Sequence, residues 1–191
     1  ITQHKHAVAT IKELTNLALL QGNIGKPGAG LCPVRGHSNV QGDRTMGIWE
    51  KLPAHFAHSL RQEFGFDPPT ERGHDVVNTV RALQEGKVTV MVGLGGNFAA
   101  ATPDSEVTHE VLRSVDLNVQ VSTKLNRTHV LPGRRMLILP CLGRTERDIT
   151  TEGWQGLTVE DSMSSVHLSV GRNEPASAHL HGEPWIVCRI A

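Results

Sequence analysis

Lys87-Val-Thr-Val-Met-Val-Gly-Leu-Gly-Gly-Asn-Phe-Ala-Ala-Ala-Thr-Pro-Asp104 is the stretch whose reading decides the fold. Residues 87 to 93 are nearly continuous in apolar, mostly β-branched side chains, the pattern of a strand buried on both faces. Glycines then break the run, and Asp104 or Thr102 is placed to cap a helix near 104 to 114. Residues 116 to 122 read as a second strand and 136 to 139 as a third. Upstream, Asp75 is placed to open a helix over 76 to 85 that Gly86 closes. Strands alternating with helices predict an α/β domain: a three-layer, Rossmann-like architecture around a mostly parallel sheet.

Working outward, residues 7 to 21 carry Val8, Ile11, Leu14, Ala18 and Leu19 near helical spacing, and Gly22 stops them. From Gly22 to Gly47 the chain is too rich in Gly and Pro for helix or strand. It mixes Arg35, His37, Asn39 and Gln41 among the glycines, which suits an ordered functional loop better than a linker. Residues 53 to 64 predict a short helix, and 65 to 73 a break. Past Pro140 the pattern loosens into short strands near 157 to 160 and 165 to 168, then a helix over 183 to 191. The expectation is one domain over 1–191: a helix and Gly-rich loop (1–52), a parallel-sheet core (53–145), and C-terminal strands and helix (146–191).

Composition narrows the function classes. Apolar residues are 38% and charged residues 20% of the 191, enough for a buried core and against wholesale disorder. Nineteen basic and nineteen acidic residues cancel, so no electrostatic case exists for nucleic acid or an anionic membrane. No apolar run has the length of a membrane span. Cys32, Cys141 and Cys188 stand far apart, form no CxxC pair, and read as reduced thiols of a cytoplasmic protein without a signal peptide. The histidine pairs His4/His6, His55/His58 and His179/His181 lack a third ligand at suitable spacing, so no metal site is assigned.

Three places carry candidate chemistry. In an open parallel sheet, ligands bind at the carboxyl ends of the strands. Gly93, Gly95 and Gly96 allow close backbone approach there, and Asn97 can donate and accept hydrogen bonds. The dinucleotide fingerprint is not met, because Phe98 stands where a third glycine belongs. A phosphate-binding turn and a plain strand-to-helix turn both fit. Beyond the second strand, Ser122, Thr123, Lys124 and Asn126 cluster where a parallel neighbour would bring them beside Gly95–Asn97; a solvated loop fits equally. In the Gly-rich loop, the guanidinium of Arg35 suits a phosphate or carboxylate, and His37 can carry a proton near neutral pH. Cys141 has no local histidine that would make it a nucleophile.

Taken together, Gly22-Asn-Ile-Gly-Lys-Pro-Gly-Ala-Gly30, Pro33-Val-Arg-Gly-His-Ser-Asn-Val-Gln-Gly42 and Thr45-Met-Gly47 resemble the dimethyl sulfoxide reductase family of molybdopterin oxidoreductases. Gly-Leu-Gly-Gly-Asn-Phe-Ala-Ala-Ala-Thr-Pro-Asp104, Val-Ser-Thr-Lys-Leu-Asn-Arg127 and Leu-Ile-Leu-Pro-Cys-Leu-Gly-Arg-Thr-Glu146 resemble its formate dehydrogenase-like alpha subunits. The resemblance runs over essentially the whole chain. It implies molybdenum or tungsten held by two molybdopterin guanine dinucleotides, two-electron redox chemistry, a small-molecule substrate and an electron-transfer partner.

By the same resemblance Arg35 lies at the active site with His37, where typical formate dehydrogenases have Gln. Cofactor contacts are implied for Arg35, Ser38, Asn39, Gln41, Gly95, Asn97, Phe98 and Gln120. Val121 replaces the family's usual acid, which implies guanine contacts at Ser122 or Thr123 instead, with Lys124 a further cofactor contact. Cys141 matches a small polar position after the family's Leu-Pro, which implies a cofactor contact there too. The family's amino-terminal iron–sulfur cysteines, its cysteine or selenocysteine metal ligand, its other dinucleotide domain and its carboxyl-terminal barrel have no counterpart here. The expectation is therefore a piece of a larger enzyme, inactive alone, whose partners are the remaining domains and which self-associates through faces made to meet them. A stand-alone, non-catalytic nucleotide-binding module is the competing reading.

Overall fold

A computed structural model describes residues 4–34, 37, 39–45, 47–48, 52–161, 163 and 165–190. The chain divides into two compact units, 1–38 and 39–191. In the first, helix α1 (Ala7–Leu20) ends at Gln21, and Gly22 follows with a left-handed φ of 67°. Val8, Ile11, Leu14 and Leu17 on α1 are exposed.

The second unit opens with a helix the sequence reading had as loop. Helix α2 (Val40–Thr45) is only six residues, too short to show periodicity and too short to persist alone. It is held by side-chain bonds to a distant strand, described below. Helices α3 (Ala54–Phe64) and α4 (Val76–Gln84) follow as expected. Asp75 caps α4, its carboxylate accepting from Asn78 N at 2.8 Å. Gly65 ends α3 in the left-handed region.

Strands β1 (Val90–Leu94), β2 (Leu117–Ser122) and β3 (Met136–Pro140) form one parallel sheet in the order β1-β2-β3. The α/β, Rossmann-like reading is correct. Two short helices lie between β1 and β2: α5 (Phe98–Ala101) and α6 (Ser105–Ser114). Asp104 caps α6 through Val107 N at 3.1 Å. The four-residue α5 was not anticipated, being hidden in what reads as a glycine loop.

α6 organises the core. Val111 packs with Leu83 of α4 and Val115. Leu112, fully buried, packs with Ala99, Leu131, Met91 and Phe98. Burying a leucine completely contributes about 2–3 kcal/mol, so this one side chain ties α6, α5 and the sheet. Near the carboxyl ends of β2 and β3, helix α7 (Glu183–Ile190) sets Ile186 against Val121, Cys141 and Leu139.

β1 corrects one expectation. It starts at Val90 rather than Lys87, and it is not buried on both faces: Val90, Val92 and Leu94 are 50%, 53% and 49% exposed. It is an edge strand, and nothing among the described residues covers that face. Two antiparallel hairpins complete the unit: β4 (Asp148–Thr150) with β5 (Gly153–Gln155), and β6 (Leu157–Glu160) with β7 (Val166–Ser169). The first hairpin was missed, since three-residue strands leave almost no alternation to read. No helix among the described residues is long and apolar enough to cross a membrane.

Candidate functional site

The carboxyl ends of β1 and β2 meet as the parallel register requires, with Leu94 beside Val121. Gly95 turns the chain at φ 70° and donates its N–H to Val121 O at 2.8 Å. The turn is then braced from the segment after β2. Asn126 Nδ2 donates to Gly96 O at 3.0 Å. Thr128 Oγ1, fully buried, accepts from Ala99 N at 3.1 Å and donates to Asn97 Oδ1 at 3.4 Å. Asn126 itself caps the 3-10 turn Arg127–Val130: its Oδ1 accepts from Thr128 N at 2.9 Å, and its own N–H donates to His129 Nδ1 at 3.0 Å.

Two consequences follow. Nδ1 of His129 lies within hydrogen-bond reach of both the N–H and the Oδ1 of Asn126, at 3.0 and 3.1 Å, and its buried Nε2 has no partner among the described residues. Meanwhile the backbone N–H groups of Gly96, Asn97 and Phe98 donate to nothing among the described residues. Three successive free N–H groups in a braced turn are the elements of an anion cradle. A Cβ at Gly96 would meet no atom within 4 Å, so the approach to this backbone is open.

Beneath the turn, Gln120 lies across Gly93. A Cβ there would come within 2.5 Å of Gln120 Oε1, so only glycine leaves room for it. Gln120 Nε2 donates to Asn118 Oδ1 at 2.7 Å, and Asn118 Nδ2 to Leu131 O at 3.0 Å. Gln120 lines a cavity of about 490 Å³ together with Gly93, Gly96, Asn97 and Phe98. Thus Gly95, Asn97, Phe98 and Gln120 do come together. Ser122 is buried and donates to Lys124 O at 2.7 Å, whereas Thr123 and Lys124 are exposed.

Cys141 is buried at the end of β3, its N–H donating to Ser122 O at 3.3 Å. Burial pushes its thiol pKa up, and the carboxylates of Glu183 and Glu146 push it further the same way. A second cavity, about 570 Å³, opens beside it between the β4–β5 hairpin and α7; its walls include Arg144, Glu183, Trp185 and Arg189. Trp185 stacks on His181 with ring centres 3.8 Å apart, and the Arg189 guanidinium sits 5.2 Å from the Trp185 ring centre.

Arg35 and Ser38 lie outside the described residues. His37 is exposed in the first unit. Asn39 and Gln41 bond to β6. Asn39 behaves as a piece of strand: its Nδ2 donates to Thr158 O at 3.2 Å and its Oδ1 accepts from Glu160 N at 2.9 Å. The Glu160 carboxylate accepts from Gln41 Nε2 at 2.7 Å and Thr45 Oγ1 at 2.6 Å. No trio of His, Cys, Asp or Glu side chains gathers as a metal site among the described residues.

Sequence reasoning missed Thr128, His129, Glu183 and Trp185. Asn126 with His129 at cap spacing was a usable signal for the first pair. Nothing local marks Glu183, which reaches this region only through the fold.

No family model matches the chain. An uncharacterized oxidoreductase of Mycobacterium tuberculosis (strain H37Rv) is 58% identical over 191 residues, all of this chain and 24% of that protein. Protein YdeP of Escherichia coli (strain K12) is 50% identical over the same 191 residues, 25% of its length. The F420-dependent formate dehydrogenase subunit alpha of Methanocaldococcus jannaschii is 32% identical over 158 residues, 78% of this chain and 23% of that subunit. The chain spans about a quarter of the length of the curated relatives it matches, and over all of its 191 residues it is similar to part of a much larger protein named as an oxidoreductase.

Proposed function

We propose that this chain is a cofactor-binding portion of a molybdopterin guanine dinucleotide-dependent oxidoreductase, and that the turn Gly95–Phe98 takes the phosphates of one dinucleotide. The observation that carries the proposal is the run of three N–H groups, at Gly96, Asn97 and Phe98, that have no acceptor among the described residues, at the carboxyl end of a parallel sheet. The residues present fit such a group: the Gly96 backbone is open, and the turn is locked from behind by Asn126 and Thr128. When bound, the molybdenum or tungsten centre supplies two-electron redox chemistry.

The chain's own residues would do the binding and orienting. Gly96, Asn97 and Phe98 donate N–H groups to phosphate oxygens. Gln120 and Phe98 line the cavity. Arg35 and His37 belong to the substrate side in this reading, with Arg35 placing an anionic substrate by a paired hydrogen bond and His37 able to hold or pass a proton. Asn39 and Gln41 serve by fixing α2 to β6.

The experiment is the metal and nucleotide content of the full-length protein by mass spectrometry. About one metal and two guanine dinucleotides per chain are expected on the resemblance, and Gly96→Pro should reduce the nucleotide content by removing one donor. A properly matured protein without metal or pterin sinks the proposal and leaves a nucleotide-binding module.

A further inference from the structure

Glu183 is a polar group without a hydrogen-bond or ion-pair partner among the described residues. It opens α7, and its Oε1 lies 3.3 Å from where a Cβ would stand on Gly95, so the carboxylate packs against the turn itself. It also lines the 570 Å³ cavity beside Cys141. Among the described residues its side chain makes no hydrogen bond and no ion pair. Glu146, on the same wall, shows the contrast. Its oxygens accept from Gly143 N at 2.5 Å and from Ala176 N at 3.1 Å, so it is spent on holding its own loop.

A half-buried carboxylate at a ligand turn is complemented by a pair of adjacent N–H donors, one for each oxygen. The same cavity wall carries Trp185, whose ring is stacked on His181 and lies 5.2 Å from the Arg189 guanidinium, a group of aromatic and planar side chains beside the carboxylate. Paired donors on a planar heterocycle describe a 2-amino-4-oxopyrimidine edge, with its ring N–H and exocyclic amino group. Guanine and pterin both carry that edge.

We propose that Glu183 binds the 2-amino-4-oxopyrimidine edge of the ligand seated at the Gly95 turn. The inference rests on the molybdopterin guanine dinucleotide reading, since that reading supplies a ligand with such an edge. Glu183 is then a specificity residue: it rejects heterocycles without the amino group, because the carboxylate would be left unpaired.

The test uses the full-length protein prepared free of cofactor, titrated with GMP against IMP, which lacks the 2-amino group, and with pterin against its 2-oxo analogue. The expected result is a preference of about tenfold or more for the amino-bearing member of one pair, lost in Glu183→Gln while the unfolding midpoint stays in place. Preference within the GMP pair assigns the edge to guanine, and within the pterin pair to pterin. Glu183→Asp, which retains the charge, checks the case in which the glutamine variant does not fold; partial preference is expected from it. No discrimination in either pair, or discrimination that survives Glu183→Gln, overturns the inference. The two failures are separable: wild-type holoprotein with its metal and dinucleotides but no Glu183-dependent preference sinks this inference alone, whereas wild type without cofactor sinks the underlying reading.

Discussion

The side chain of Asn126 donates to the carbonyl of Gly96 at 3.0 Å, tying the segment after β2 to the turn after β1. Beside it, Thr128 fills the only hydrogen bond that Ala99 N makes among the described residues. Thr128→Val keeps the shape and removes the hydroxyl, leaving a buried N–H unpaired. A loss of about 1–3 kcal/mol in unfolding free energy is expected. Thr128→Ser keeps the hydroxyl and should lose less. Denaturant unfolding of the two variants checks the order, and a valine variant as stable as wild type would refute the bracing role.

The Asn39–β6 contact makes a separate expectation. Asn39→Asp retains the acceptor for Glu160 N but cannot donate to Thr158 O, and it sets a second carboxylate beside Glu160. The substitution should release α2, which is too short to hold its own helix, at a cost of about 1 kcal/mol or more. Limited proteolysis should then cut within 39–48 faster than in wild type. Unchanged cleavage there would show that α2 is held by something else.

Much of this fold is legible in the sequence, for reasons specific to its elements. Asp75 and Asp104 cap helices whose starts they announce, and Gly86 closes one, because caps are local chemistry. The three sheet strands are apolar runs between breakers. What escaped was decided by tertiary contact: α2 depends on Glu160, more than a hundred residues away, and Glu183 reaches Gly95 only through the packing of Ile186 on Val121 and Cys141. The reading of β1 as buried misjudged its neighbours rather than its residues, since an apolar run cannot say whether a strand is central or edge. At the turn, the glycines and Asn97 are visible in the sequence, while the lack of acceptors for the N–H groups of Gly96, Asn97 and Phe98 among the described residues depends on the fold.

Thiol reactivity follows from burial. Cys141 is 3% exposed and its pKa is pushed up by burial and by nearby carboxylates, whereas Cys32 and Cys188 are exposed. In the folded chain at neutral pH, iodoacetamide should label Cys32 and Cys188 well before Cys141. Mass spectrometry of the timed reaction checks this, and labelling of Cys141 at the rate of the exposed pair would contradict the packing at β3.

Low pH should loosen the β6–β7 hairpin first. The Asp161 carboxylate accepts from His167 Nε2 at 2.7 Å and from Met163 N and Ser165 N at 2.8 and 3.1 Å. The His167 bond, then the two backbone bonds, hold its pKa below the usual aspartate value. A depressed folded-state pKa means the stabilisation is present above the unfolded value and is lost as pH falls through the folded one. Amide exchange in 157–169 should therefore accelerate, relative to the rest of the second unit, on acidification through that range. Asp161→Asn should flatten the dependence. A hairpin whose relative protection ignores pH would count against the Asp161 turn.

The part of the sheet face that α7 leaves bare, around Val92, Leu94 and Leu137, predicts association of the isolated 191-residue chain. Parallel register places Val92 beside Val119 and Val119 beside Leu137, so these side chains share one face with Leu94 and Val121. Val92, Leu94 and Leu137 are each about half exposed. Contiguous apolar surface of this kind is rarely left bare on a monomer. In a protein as long as the relatives, other segments would cover it; alone, two copies can cover each other. Light scattering after size exclusion should give a mass of two chains or more, and Val92→Lys with Leu137→Lys should shift it toward one. A clean monomer of the unsubstituted chain at high concentration would mean that this face is stable in water, and the expectation of covering segments would lose its physical basis.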